Sequence, residues 1–348
     1  MLKLAAIGTV ADMVPLNTRE NRAIVILGLE ALNNGTHNAG LEALLDLSKT
    51  KRGDIDEGTI GYQIGPRINA AGRMADANIV VELLNTRNPM HAKDYAARIE
   101  AFNQERRQVQ AKLVEQALQQ IQHPKPAFAL VCGVEEDGWH RGVVGIVASK
   151  LMYQLHRPTA VVSIQGDTAV GSMRSIDGVH CVALLTEAED LLEKFGGHPK
   201  AAGFTLATKN IEAFRTRLND AVSKIASGAE WTPTHHYSVE LGPGSLSVAL
   251  PDALKTLGPF GIGNAPHRFL IRGIQPTNVR TLSQGKHLKF QLRSGATVAD
   301  VLWWNEGHRQ AEIEGQTLDL LGSVDINTWQ GRRSIQFILE DARIHDAS

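Results

Sequence analysis

The chain has 348 residues, of which 43% are hydrophobic and 21% charged, enough for two or three globular domains with their own cores. Its 36 Lys and Arg against 37 Asp and Glu leave a net charge of −1, so any polyanion must be met by a local patch rather than by the chain as a whole. No apolar run approaches the ~20 residues that span a bilayer, so no membrane association is expected.

Met1-Leu2-Lys3 does not open a signal peptide, so Cys132 and Cys181 read as reduced cytosolic thiols, and neither lies in a zinc-binding spacing. The run Leu4–Ala11 is continuously apolar, which predicts a strand buried on both faces, ended by Asp12 and Pro15. A helix follows, with Asn17 and Glu20 as a capping box and Ile24, Leu27 and Leu32 on its apolar face. Residues 61–73 mix glycines, small residues and two arginines without a period, which predicts a tight loop. From His91 to Ile121 the pattern is helical, about 45 Å of connector. His123-Pro124-Lys125-Pro126 stops it.

An α/β unit then runs from about 127 to 228. Strands are predicted at Ala127–Cys132 and Thr159–Ile164, helices at Val143–Leu155 and Cys181–Lys194. After Trp231-Thr232-Pro233 come five short β-rich runs, Phe269–Ile271, Leu288–Leu292, Val298–Trp303, Leu318–Val324 and Ser334–Leu339. Their spacing suits a small barrel of the OB type.

Several residue sets could carry chemistry. Asp12, at the expected strand end, is placed either to hold a hard cation or to cap a turn. Arg67, Asn69 and Arg73 suit phosphate, because a guanidinium fork matches two phosphate oxygens; a solvated loop is the alternative. His140 precedes a helix start, where free N–H groups favour anions, or simply caps it. Ser172 and Arg174, two apart on an extended segment, point the same way, and Ser175 follows them. Gly196 and Gly197 open the backbone beside His198. Between Asp252 and Asp300 there is no acid, while Lys255, Arg268, Arg272, Arg280, Lys286, Lys289 and Arg293 all fall there. That is the footprint of a single-strand groove, with Phe269, Phe290, Trp303 or Trp304 as stacking surfaces or as core.

Taken together, these segments resemble the RecJ exonucleases of the DHH phosphoesterase superfamily. Gly8-Thr9-Val10-Ala11-Asp12-Met13-Val14-Pro15-Leu16 is similar to the fourth DHH motif, and Gly65-Pro66-Arg67-Ile68-Asn69-Ala70-Ala71-Gly72-Arg73 to a RecJ loop. The His140 segment, Ser172-x-Arg174-Ser175 and Gly196-Gly197-His198-x-x-Ala201-Ala202-Gly203 resemble the DHH-associated domain, and Gly258–Asn264 the approach to the RecJ OB domain. The resemblance implies an α/β chain in four parts. These are the C-terminal remainder of a DHH parallel-sheet domain (1–90), a long connecting helix (91–122), a mixed α/β DHH-associated substrate-binding domain (123–230) and an all-β OB-type barrel (231–348).

It also implies a cytoplasmic 5′→3′ single-stranded-DNA exonuclease of repair and recombination that uses Mn²⁺ or Mg²⁺. Such an enzyme works with single-strand-binding protein and a helicase. Asp12 would be a metal carboxylate, Ser172 and Arg174 would hold the 5′ phosphate, and His198 would act near the scissile bond. The family's other metal motifs precede the Asp12 motif and have no counterpart in these residues, so the chain is expected to be N-terminally truncated and inactive alone. Two other readings compete: a module that binds single-stranded DNA without cutting it, and another DHH phosphoesterase acting on short oligonucleotides.

Overall fold

The computed structural model describes residues 1–121, 125–226, 231–294 and 297–346. The chain divides into two compact units: residues 1–34, 55–57 and 234–348, and residues 35–54 and 58–233. The expected helix stop at His123-Pro124 and the boundaries drawn at 122 and 230 fall outside the described residues.

In the first unit, α1 (Leu2–Ala11) packs on α2 (Arg19–Asn34). The strand expected at Leu4–Ala11 is therefore a helix. Its residues, Leu, Lys, Leu and several Ala, are good helix formers, and an unbroken apolar run does not by itself separate a buried strand from a helix. Only Ala6 and Ile7 of α1 are buried. Gly28 of α2 is where the two helices meet, since a Cβ there would lie 2.2 Å from the Ala6 Cβ. Thr18, not an Asn17–Glu20 box, caps α2, its Oγ1 accepting the Asn21 N–H at 3.3 Å.

The rest of this unit is a seven-stranded sheet in the order β6-β7-β11-β12-β10-β9-β8. Its strands are β6 (Val239–Glu240), β7 (Phe269–Ile274), β8 (Thr277–Leu282), β9 (His287–Ser294), β10 (Thr297–Trp303), β11 (Leu318–Trp329) and β12 (Arg332–Ile344). All five expected β-rich runs lie within these strands. Phe269, Phe290, Trp303 and Phe337 are buried at its centre.

The second unit begins with α3 (Ala39–Ser48) and resumes within the short α4 (Glu57–Thr59), whose first residue counts with the first unit. A π-helical turn at Ile60–Ile64, α5 (Gly65–Met74) and α6 (Asn78–Asn85) follow. The loop expected at 61–73 is thus mostly helix, started by Pro66 and packed tightly through fully buried Ala70 and Ala71. Among the described residues, 1–90 contribute helices and no strand. α7 (Pro89–Gln120) is the long connector, capped by Asn88, whose side chain accepts the Met90 N–H.

A five-stranded sheet follows, in the order β1-β2-β3-β5-β4, with β1 (Ala129–Val134) parallel to β2 (Thr159–Gln165) and the other pairs antiparallel. β3 is Thr168–Arg174, β4 Leu192–His198 and β5 Ala201–Ala207. α8 (Arg141–Leu155) joins β1 to β2. The helix expected at Cys181–Lys194 is only α9 (Cys181–Thr186), because the chain turns into edge strand β4. Its exposed Glu193 and Lys194 suit an edge that must resist pairing. α9 and α10 (Ile211–Ala226) cover one face of the sheet, with Leu130, Val162, Met173 and Phe204 beneath them. α7 and α8 cover the other, over Val131 and Val161. The short helices α11 (Ala249–Lys255) and α12 (Gln310–Ile313) belong to the first unit. Among the described residues no helix is long and apolar enough to cross a membrane.

The seven-stranded sheet contains one buried carboxylate, Asp319, whose side chain is 2% exposed. His345 Nδ1 lies at 2.6 Å, Arg272 Nη1 at 3.1 Å, Arg343 Nε at 3.2 Å and the Gly273 N–H at 3.3 Å. Burial pushes this carboxyl up, but the hydrogen bonds from His345, Gly273 and Arg343 outweigh it and hold it below the ordinary range. A depressed folded value stabilises the fold above the unfolded pKa of ~3.9 and loses that contribution as pH falls through the folded value. Asp319→Asn is expected to cost about 2–4 kcal/mol at neutral pH in urea denaturation, with the gap to wild type closing below about pH 4.

Candidate phosphate-binding site

The register of the five-stranded sheet decides which side chains share a face. Arg174 of β3 pairs with Ala201 of β5, and Ala201 pairs with His198 of β4. One step along, Ser172 pairs with Gly203, and Gly203 with Gly196. Directly paired residues project to the same side, so Ser172, Arg174 and His198 share one face, with Gly196 and Gly203 between them. Their neighbours Met173, Ala202 and Phe204 point into the opposite core. Arg174 and His198 sit two strands apart, roughly 10 Å at the backbone.

The shared face is the one that α8 covers over β2 and β3. Gly145 of α8 rests directly on the pair; a Cβ there would meet Arg174 Nη2 at 3.1 Å and Ser172 Oγ at 3.2 Å. Beyond α8 the face is open. A Cβ added to Gly196 meets nothing within 4 Å, and one on Gly203 meets only the Gly171 carbonyl at 3.9 Å. The result is a step: a helix wall carrying Ser172 and Arg174 at its foot, and a glycine floor running out to exposed His198.

Arg174 Nη1 donates to Ser172 Oγ at 2.7 Å and to the Met173 carbonyl at 2.8 Å, which fixes the guanidinium beside the hydroxyl. Arg73, at the end of α5, donates from Nη1 to the Gly142 carbonyl at 3.2 Å, tying α5 to the first turn of α8. That approach needs glycine at 142, where a Cβ would sit 2.2 Å from the Arg73 carbonyl oxygen. Burial lowers the pKa of Arg174, and the nearby Arg73 charge lowers it further, against an opposing effect of Cys181. Burial also lowers that of Arg73. Among the described residues neither arginine has a carboxylate partner. Two such positive charges at the start of one helix, Arg174 half-buried and Arg73 more exposed, suit an anion.

The other expected residues divide. Asn69 is exposed one turn before Arg73, on the same side of α5. Arg67 is committed elsewhere: its Nε pairs with Glu100 of α7 at 2.6 Å and its Nη1 donates to the Gln63 carbonyl at 2.7 Å. His140 is the N-cap of α8, its Nδ1 accepting the Gly142 N–H at 3.1 Å, which leaves Nε2 to carry the proton in the neutral ring. Ser175 is buried, 3% exposed, and does not line the open floor. Gly197 faces the opposite side from Gly196 and has φ +148°, where a Cβ would lie 2.4 Å from the Ala201 carbonyl. Its glycine is demanded by the β4–β5 turn rather than by a ligand.

Asp12 lies in the first unit, exposed, as the C-cap of α1. Among the described residues no three or more His, Cys, Asp or Glu come together to hold a metal ion. A lone carboxylate does not fit a divalent cation that takes about six oxygen ligands.

The acid-free stretch of sequence is not acid-free in space. Arg268 pairs with Glu340, Arg272 with Glu240 and Asp319, and Lys289 with Asp300. The sheet lays β6 and β11 on either side of β7, and β10 beside β9, which brings Glu240 and Asp319 to Arg272 and Asp300 to Lys289. Arg280 and Lys286 are without an ion-pair partner among the described residues. Of the suggested stacking residues, Phe269, Phe290 and Trp303 are core, while Trp304 is half exposed and stands edge-on to His287 at 4.8 Å.

Comparison with known proteins bears on both units. Residues 125–224 match the DHHA1 domain and residues 237–341 the RecJ OB domain. The single-stranded-DNA-specific exonuclease RecJ of Bacillus subtilis is 35% identical over 99% of the chain, and that of Dickeya dadantii 31% identical over 98%. The chain spans 44% of the first and 60% of the second. The crystal structure of RecJ from Thermus thermophilus in complex with Mg²⁺ superposes with a TM-score of 0.83 at 28% identity. It covers 99% of this chain and 52% of that one. The Mn²⁺ complex of the same protein gives a TM-score of 0.82 at 29% identity, covering 99% and 50%.

If the step is an anion site, inorganic phosphate should stabilise the fold. At about ten times its dissociation constant it adds about 1.4 kcal/mol, or roughly 2–4 °C in melting temperature. Arg174→Gln should lose at least half of that shift relative to chloride at equal ionic strength, read by calorimetry.

Proposed function

We propose that this chain, homologous to the RecJ exonucleases over nearly its whole length, is the substrate-gripping portion of a 5′→3′ exonuclease specific for single-stranded DNA. The observation that carries the reading is the unneutralised Arg73–Arg174 pair at the foot of α8, beside the Ser172 hydroxyl and a bare glycine floor. A terminal phosphate fits there because it offers several acceptor oxygens to a guanidinium fork and a hydroxyl. The strand would then run across Gly196 and Gly203, where no side chain blocks a sugar or base, towards His198. His198 is assigned a contact with the phosphate next to the bond that breaks, and Asn69 a polar contact on the Arg73 side.

Duplex ends are disfavoured in this reading. A second strand would have to share a step whose wall is the first turns of α8. The seven-stranded sheet adds a second hold on the strand, through Arg280, Lys286 and exposed Trp304, by charge and stacking. Arg268, Arg272 and Lys289 have carboxylate partners and contribute less than their number in the sequence implies.

Mn²⁺ or Mg²⁺, when bound, would supply an activated water and stabilise the leaving oxygen at the hydrolytic centre. Asp12 is the residue of this chain assigned to that centre. Among the described residues the donor set at Asp12 does not fit an ion by itself, so the role assigned to these residues is to bind and orient the strand. Action in DNA repair and recombination in the cytoplasm, alongside single-strand-binding protein and a helicase, belongs to the same proposal.

The alternative of a module that binds without cutting at all is separated from it by one pair of assays. The chain should bind 5′-phosphorylated single-stranded DNA with an affinity that falls steeply with salt. The log–log slope should be about −2 for roughly three phosphate contacts. Nucleotide release in Mn²⁺ should stay at background for the chain alone and appear when a polypeptide supplying further metal-binding carboxylates is joined to it. Release by the chain alone would show the account of its metal ligands to be wrong; none from the joined protein would favour the module.

A further inference from the structure

α7 reads as a connector, yet it buries polar groups that a connector does not need. Asn103 is 0% exposed, and its Nδ2 has no hydrogen-bond partner among the described residues. Its Oδ1 accepts from Arg106 Nη2 at 3.0 Å. Arg106 Nη1 donates to Gln110 Oε1 at 2.9 Å, and Arg106 Nε is buried without a partner among the described residues. A buried donor left unsatisfied destabilises a fold, and a desolvated guanidinium does so more.

The amides that hold Arg106 orient it without neutralising it. Glu100, one turn before Asn103, is occupied by Arg67 at 2.6 Å, and among the described residues no carboxylate pairs with Arg106. The helix that carries Arg106 packs against both α5 and α8, the elements that hold Arg73 and cover Arg174. Val109 of α7 and Met74, the residue after Arg73, both pack against the cluster that contains Val143 and Val144 of α8. Burial lowers the pKa of Arg106, and the charges of Arg107 and Arg73 lower it further. A purely structural arginine beside two amides would gain from an acid; here the acid is absent and a second arginine is present instead.

We infer that Arg106, oriented by Asn103 and Gln110, is a further substrate-positioning residue that engages the same phosphate-bearing strand end as Arg73 and Arg174. The inference rests on the reading of the step as a terminal-phosphate site. It makes α7 part of the site and assigns Asn103 a supporting role: it sets the direction of a guanidinium that must stay charged.

The test compares binding of one short oligodeoxythymidylate carrying either a 5′ phosphate or a 5′ hydroxyl, by fluorescence anisotropy at fixed ionic strength. Arg106→Gln should weaken the phosphorylated strand about tenfold and the hydroxyl strand by less than about twofold. Arg106→Lys should recover part of the loss. Asn103→Asp, which sets a carboxylate against the guanidinium and keeps the side-chain shape, should reproduce it while Arg106 is intact. Equal weakening of both strands, or of neither, with Arg174→Gln still abolishing the phosphate preference, would make Arg106 a strut and overturn the inference while the phosphate site stands. A wild-type chain that does not distinguish the two strands would remove both.

Discussion

Positive charge held without an acid is the constraint around which the second unit is arranged. Arg73 donates to the Gly142 carbonyl and Arg174 lies against Gly145 one turn further along α8, so both charges meet the start of one helix. Burial lowers the pKa of the half-buried Arg174. Proteins ordinarily meet such a charge with a carboxylate, as this chain does for Arg67 with Glu100. Leaving it unmet costs stability, and the surrounding elements hold the arrangement in place. Ser172 anchors Arg174, the Gly142 carbonyl anchors Arg73, and glycines at 142 and 145 let α8 come close enough to do both.

The sheet converts that charge into a place for a chain-like anion. Antiparallel register across β3, β5 and β4 sets Arg174 and His198 on one face with glycine between them, so a ligand can lie against backbone from one to the other. Because α8 ends its coverage at β3, the floor is open on that side only. The other face is filled by Phe204 and Phe214, whose tilted rings are 5.0 Å apart, and Gly171 is needed so that Phe204 can lie over the strand. One face is thus dry core and the other an accessible shelf, separated by the thickness of a single sheet.

The seven-stranded unit follows the opposite electrostatic policy. Its basic residues are mostly met by acids from strands far along the chain, and Asp319 gathers Arg272, Arg343 and His345 around one buried carboxylate. Among the described residues Arg280 of β8 and Lys286 beside β9 have no ion-pair partner, and Lys286 precedes His287, whose ring meets Trp304. Charge in this unit serves first to hold the strands together and only second to meet a ligand.

The sequence by itself determined the element types wherever local pattern and burial agree. Strand β2 and helix α8, the connector α7, and the five β-rich runs all follow from periodicity and turn residues, and Ser172 and Arg174 share a face by period two alone. It misplaced Leu4–Ala11 and residues 61–73, since an apolar run and a glycine-rich stretch are each compatible with more than one conformation until their neighbours are known. Only the tertiary structure decided which charges survive: Arg67, Arg268, Arg272 and Lys289 look as free in the sequence as Arg73 and Arg174 do. It also brought out Arg106, hidden among helix-forming polar residues of a long helix. The reason is that neutralisation is a matter of distances of a few ångströms between residues tens or hundreds of positions apart, such as Arg268 and Glu340. A linear count of charge does not contain those distances.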